Sequence, residues 1–193
     1  MKKVGITGGI GCGKSTVVAE FRKLGIPAFV ADEAGAACYQ NSSFLSELRS
    51  SFGGDIFLTD GSVDKRRLAD IVFADHQQLQ RLNALVHPRV LAAFDDFCNR
   101  YPTAPYILFE SAILYDNGLD RLMDRVVCVY LDLEERLRRL AARDQSSRQQ
   151  LMARINNQMP AEEMMRRADY IVLNFEGNPR SRQVSHIDKM LRL

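Results

Sequence analysis

The sequence predicts an α/β domain: a doubly wound, five-stranded parallel sheet with helices on both faces, a helical insertion and a helical lid. Three observations predict it. Apolar strand-like runs alternate with amphipathic helical stretches, and that alternation builds parallel sheets with crossover helices. The first strand runs into Gly8-Gly9-Ile10-Gly11-Cys12-Gly13-Lys14-Ser15-Thr16, where Gly8, Gly13, Lys14 and Ser15 fit G-x-x-x-x-G-K-[ST]. Between the second and third strands lies a stretch of roughly 60 residues with helical spacing, far longer than an ordinary α/β connection.

The loop explains why these residue types occur in this order. Glycines let consecutive backbone N–H groups turn toward one anion, and the helix that follows aims its positive end at the same place. Lys14 adds a charge over the β- and γ-phosphates, and the Ser15 hydroxyl can hold Mg²⁺. Val17, Val18, Phe21 and Leu24 follow at helical spacing, so the motif has the strand–loop–helix setting of the three-layer fold of P-loop NTPases. Cys12 lies inside the loop, either as a small residue that fits or as a thiol activated by the helix N-terminus.

Gly25 suits the position after the first helix. Ile26 to Ala31 then reads as a short second strand ending at Asp32-Glu33. Ligands gather at the carboxyl ends of strands in such sheets, so Asp32 is either a carboxylate of the catalytic rim or a helix N-cap.

Residues 41–102 carry Leu68, Ile71, Val72, Leu79, Leu82, Leu85, Val86, Val90, Leu91, Phe94 and Phe97 at helical spacing, with strand character only near Ile56-Phe57-Leu58 and a turn at Asp60-Gly61. They read as a substrate-facing helical subdomain. Pro88 breaks or starts a helix there. His87 and Arg89 are each either structural or functional, and Lys65-Arg66-Arg67 is a solvated basic face or an anion site.

Tyr106-Ile107-Leu108-Phe109 is a continuous apolar run, hence a strand covered on both faces. It ends at Glu110-Ser111, a second rim carboxylate or a cap. Val126 to Leu131 is another buried strand, and Asp132 with Glu135 forms a capping-box-like helix start. On that helix Leu133, Leu137, Leu140 and Ala141 form one face, and Arg136, Arg139 and Arg143 another. Residues 144–147 interrupt it, a second helix runs over 147–159, and Pro160 opens a third. Arginines on such a hairpin suit a phosphoryl-transfer lid, Arg143 foremost. Ala168 to Asn174 reads as the fifth strand, with Asn174 either touching an adenine edge or forming a turn. The last apolar residues suit a closing amphipathic helix. The predicted division is a nucleotide core of 1–40, 103–135 and 168–193, a helical acceptor subdomain of 41–102 and a lid of 136–167.

The totals narrow the class. The chain has 193 residues, 46% hydrophobic and 26% charged, with net charge +2. That is an ordinary globule with no excess charge to argue for nucleic acid or a membrane surface. No run of about 18 apolar residues occurs, so no membrane span is expected, and the immediate first strand leaves no room for a signal peptide. Four scattered cysteines without a C-x-x-C pair fit reduced thiols and a cytoplasmic protein; a monomer is favoured. There is no N-K-x-D guanine motif and no L-S-G-G-Q stretch, which counts against a small GTPase and a transporter ATPase. What remains is a small-molecule kinase.

Over nearly its whole length the chain resembles the dephospho-CoA kinase family. The residues that carry the resemblance are Gly5 to Ser15, Asp32, Phe52-Gly53 with Asp60-Gly61, and Ile71-Val72-Phe73 leading to His87-Pro88-Arg89-Val90. Phe109-Glu110, Arg143-Asp144 with Arg154-Ile155-x-x-Gln158, and Ala168-Asp169 with Asn174 complete them. The family often has Ser at Cys12, Arg at Lys65, and Pro-Leu-Leu where Tyr106-Ile107-Leu108 stands. The resemblance implies transfer of the ATP γ-phosphoryl to the ribose 3′-hydroxyl of dephospho-CoA, with Mg²⁺. It implies that Gly11, Cys12, Gly13, Lys14, Ser15 and Thr16 cradle phosphate, that Asn174 lies near the base, and that Ser15 faces the metal. Asp32 then resembles the general base and Arg143 the lid arginine, while Thr7, Asp32, His87, Arg89 and Glu110 line the acceptor side. The rivals are a P-loop kinase for a nucleoside, nucleotide or sugar acid, and a nucleotide-binding module without transfer chemistry.

Overall fold

In the computed structural model, which describes residues 1–144 and 146–193 and the backbone alone of Phe73, five parallel strands form one sheet in the order β2-β3-β1-β4-β5. They are β1 (Lys2–Thr7), β2 (Ala28–Val30), β3 (Tyr106–Glu110), β4 (Arg125–Tyr130) and β5 (Tyr170–Leu173). The doubly wound parallel sheet read from the alternation is therefore present. β2 is shorter than expected, because Pro27 has no amide to donate to a ladder and Ala31 already belongs to the next helix.

Helix α1 (Lys14–Lys23) buries Val17, Val18 and Phe21. It stops by a Schellman motif: Gly25 takes φ 80°, its N–H donates to Arg22 O, and Ile26 N–H donates to Phe21 O. Leu24, expected on the apolar stripe, sits at this cap and is exposed. Beneath α1 lies a core that includes Val4, Ile6, Phe21, Tyr106, Leu108, Val127 and Val172, together with Val184, Ile187 and Leu191 of α9 (Arg180–Leu191). Tyr106 meets Phe21 edge-on at 6.4 Å, and its hydroxyl donates to Asp188 of α9 at 2.7 Å. Burial and that carboxylate raise the phenol pKa.

Contacts divide the chain into two units, Met1–Val30 with Arg100–Leu193, and Ala31–Asn99. The second unit is helical: α2 (Ala31–Cys38), α3 (Ser42–Phe52), α4 (Lys65–Ala74) and α5 (His76–Asn99) surround Phe44, Leu48, Ile56, Leu68 and Val72. Asn41 caps α3 and Asp64 caps α4 through their carboxamide and carboxylate oxygens. The strand expected near Ile56 is instead a 3₁₀ turn, Gly54–Ile56, with a single bridge between Phe57 and Val63. The Asp60-Gly61 turn is present, with Gly61 at φ 84° and the Asp60 carboxylate accepting from Ser62.

Pro88 neither breaks nor starts a helix, contrary to expectation: it lies inside the 24-residue α5. Proline removes one backbone donor and crowds the preceding turn. The donor lost at Pro88 is the one the carbonyl four residues earlier would take; Arg89 next to it donates Nη1 to the Leu85 carbonyl at 2.8 Å, while Nη2 pairs with Glu47 at 2.7 Å.

In the first unit, α6 (Leu133–Asp144), α7 (Arg148–Asn156) and α8 (Ala161–Arg167) follow β4. Asp132 accepts from Glu135 N–H as a cap, but Glu135 turns its own carboxylate to Arg138 and Arg139, which hold its pKa down to about 2. Ser147 and Gln150 form the capping box of α7. The predicted interruption of 144–147 includes Gln145, which lies outside the described residues. Pro160 caps α8.

Candidate active site

The phosphate loop leaves the carboxyl end of β1 and closes into α1. Gly8 has φ 144°, and a Cβ there would strike the Val129 carbonyl of β4. Gly13, at φ 87°, is the residue before α1, and a Cβ there would strike the Asn174 amide. Both positions demand glycine by conformation and by space. Lys14 is almost wholly buried, and its Nζ donates to the Gly8 carbonyl at 2.9 Å, folding the ammonium back over the loop. Ser15 and Thr16, in the first turn of α1, are exposed. With its terminal N–H groups and a lysine at one spot, the loop can take a polyphosphate.

Cys12 is buried, and burial pushes its thiol pKa up, against the charges of Lys14 and Arg136. Of the two readings, this favours the small residue that fits over the activated thiol. Cys12 serves through its backbone, with N–H to Gly9 O at 3.1 Å and its carbonyl accepting from Asn174 Nδ2 at 2.6 Å.

Asn174 follows β5 and is fully buried; its amide nitrogen holds the loop, and its Oδ1 accepts from Arg180 at 3.0 Å. Both ends of the amide are thus engaged in bracing the loop. Thr7 closes β1 with its side chain fully buried, and its hydroxyl has no hydrogen-bond partner among the described residues.

Glu110 ends β3, in register with Ile6 of β1 and Val30 of β2, and is nearly buried. Ser111 next to it donates its N–H to Ile6 O at 3.0 Å. The carboxylate therefore stands at the carboxyl edge of the sheet. Asp32 is the second residue of α2, one position after the helix begins, so it is not an N-cap; its side chain is exposed. In the helical unit, His87 is half-buried and burial lowers its pKa. Its neighbour Arg89 spans Leu85 and Glu47 and lies over the Phe44 ring.

Arg143 and Arg154 both pair with Asp144, at 2.5 and 2.8 Å. The arginines of α6 do not share one role, although their spacing puts them on one face. Arg139 pairs with Glu135 at 2.8 Å. Arg136 is 5% exposed, donates Nε to the Ile10 carbonyl at 3.0 Å, and lies so close over Gly9 that a Cβ there would strike its guanidinium. Burial lowers its pKa, with the Glu162 carboxylate acting the other way.

Two residues at the loop were missed. Arg136 was read with Arg139 and Arg143 on a face apart from the leucines, yet it stands four before the buried Leu140, on the stripe that faces the protein. Gln158 accepts from Ile10 N–H at 2.8 Å and donates to the Ala112 carbonyl at 3.2 Å; its only signal was the R-I-x-x-Q spacing. Among the described residues no group of His, Cys, Asp and Glu could by itself hold a metal. No helix among them is long and apolar enough to cross a membrane.

The family model described as dephospho-CoA kinase matches residues 2–179. A dephospho-CoA kinase of Geobacillus kaustophilus is 37% identical over 175 residues, covering 89% of this chain and 87% of that protein. One of Fusobacterium nucleatum is 31% identical over 171 residues, covering 89% and 88%. Among solved structures, TT1252 from Thermus thermophilus has a TM-score of 0.89 at 33% identity, over 98% of this chain and 96% of that one. A shikimate kinase from Bacteroides thetaiotaomicron has a TM-score of 0.52 at 18% identity, over 100% and 99%, a likeness of fold alone.

Proposed function

The chain belongs to the dephospho-CoA kinase family and phosphorylates dephospho-CoA at the expense of ATP, and from that premise we propose how its own residues divide the work. The observation that carries the reading is the phosphate loop, with Lys14 folded over it and its glycines fixed by the packing of β4 and β5. The loop from Gly11 to Thr16 takes the β- and γ-phosphates. Lys14 leaves the Gly8 carbonyl for the phosphate oxygens, where charge grows in the transition state.

Asp32 accepts the proton of the ribose 3′-hydroxyl as that oxygen bonds to the γ-phosphorus and the bond to ADP breaks. The acceptor is held by the helical unit through His87 and Arg89, with Glu110 at the end of β3. Arg143, freed from Asp144, meets the transferred phosphoryl from the lid, residues 136–167. Magnesium suits the donors present. It favours hard oxygens, keeps several waters and shares phosphate ligands, and needs no protein cage; the exposed Ser15 hydroxyl at the loop's end is such a donor. Bound there, the ion would neutralise phosphate charge.

The test is ADP release by the purified protein with ATP and dephospho-CoA, set beside AMP, uridine and shikimate. Release stimulated by dephospho-CoA alone is the expected result. Stimulation by another acceptor would move the chain to a different substrate class, and ATP binding without stimulated release would make it a nucleotide-binding module.

A further inference from the structure

The loop's tip residue is Ile10, and the hydrogen bonds to its own peptide groups come from outside the loop. Its N–H donates to Gln158, just after α7. Its carbonyl accepts from Arg136 of α6. Its side chain packs with Leu137, Leu140 and Leu151, the core that α6 and α7 share. Gln158 is engaged a second time, through Nε2 to the Ala112 carbonyl, two residues beyond the Glu110 that ends β3.

From this arrangement the geometry assigns Gln158 and Arg136 as positioning residues for phosphoryl transfer: through the Ile10 peptide they set the tip of the phosphate loop from the α6–α7 helices. The assignment rests on the kinase reading above. Three features carry it. Burying a guanidinium is costly unless its donors are used, and Arg136 spends Nε on one loop carbonyl while nearly buried. A carboxamide offers a donor and an acceptor, and Gln158 uses the acceptor on the loop and the donor beside β3. Finally, the tip's side chain belongs to the helices' core, not to the sheet's, so a shift of α6 and α7 carries the tip with it.

Displacing the tip changes where the loop's amides point, and these amides bind phosphate. Gln158 therefore acts on ATP through Ile10 without touching it. A merely structural glutamine would lower the melting temperature and leave the kinetics of the folded enzyme alone.

The experiment compares wild type, Gln158→Leu and Gln158→Glu in steady-state kinetics with both substrates, in thermal melting, and in hydrogen exchange of the peptide containing Ile10. Leucine removes both bonds; glutamate keeps an oxygen to accept the Ile10 N–H. In Gln158→Leu the expected result is a KM for ATP raised about tenfold, the size of one lost hydrogen bond of about 1.4 kcal/mol. The KM for dephospho-CoA stays within twofold, and exchange at Ile10 is faster. Gln158→Glu is expected within threefold of wild type for ATP, with Ile10 still protected. An unchanged KM for ATP in Gln158→Leu overturns the assignment, as does a rise in both KM values together. Should Gln158→Leu not fold, loss of ATP affinity in Gln158→Glu with Ile10 protected also overturns it. Wild type without dephospho-CoA-stimulated ADP release would instead refute the kinase reading itself.

Discussion

At the scale of single residues, Lys14 is the clearest case of a charge kept for a ligand. Its ammonium is nearly buried and among the described residues donates to the Gly8 carbonyl at 2.9 Å alone, one bond where it offers three donors. Lys14→Ala should therefore cost little stability and much rate. We expect turnover to fall by about 10²–10³, the usual loss for one charge-stabilising donor, with a melting temperature close to wild type. Stopped-time ADP assays beside a thermal melt check this, and near-normal turnover would remove Lys14 from the chemistry. Lys14 was legible because spacing and residue type together define its motif. Arg136 and Asn174 were harder, since each acts through a neighbour distant in sequence: Ile10 for the one and Cys12 for the other. Residue type announced a polar group in each case, but only the packed fold says which carbonyl it reaches.

At the scale of elements, α5 shows a local rule overridden by its surroundings. A proline normally ends a helix, yet α5 runs on past Pro88 to Asn99. Arg89 takes the Leu85 carbonyl and Glu47, and Val90, Phe94 and Cys98 bury the next turns. Tertiary packing supplies more than the lost bond removes. Arg89→Ala should then lower stability by about 1–2 kcal/mol, summing a hydrogen bond and a half-exposed ion pair; for a chain of this size that is a fall of about 2–8 °C in melting temperature. Glu47→Gln should cost less, since the Leu85 bond remains. The same variants separate brace from ligand. If Arg89 also grips the acceptor, Arg89→Ala raises the KM for dephospho-CoA and Glu47→Gln does not. A stability loss with an unchanged KM would leave Arg89 as a brace alone.

At the scale of the whole molecule, the strand alternation was readable because the inner strands carry continuous apolar stretches, Tyr106 to Phe109 in β3 and Val126 to Val129 in β4, buried on both faces. The order β2-β3-β1-β4-β5 was not, since apolar runs do not say which neighbour they pair with. That order has a consequence for stability. β1 is central, between β3 and β4, so a ligand on the loop after it touches the keystone of a unit made from two stretches, Met1–Val30 and Arg100–Leu193. Ligand that binds only the folded state stabilises it by RT ln(1 + [L]/Kd), about 2.7 kcal/mol at a hundredfold excess over Kd. A non-hydrolysable ATP analogue should therefore slow hydrogen exchange in two places far apart in sequence, residues 8–16 and residues 133–158. The link between them is Ile10, whose side chain lies with Leu137, Leu140 and Leu151. The Lys14→Ala protein should show the effect weakly or not at all at the same analogue concentration. Slower exchange in the loop with no change over 133–158 would mean that the α6–α7 helices respond independently of the phosphate site, because a rigid shared core transmits protection to both of its sides.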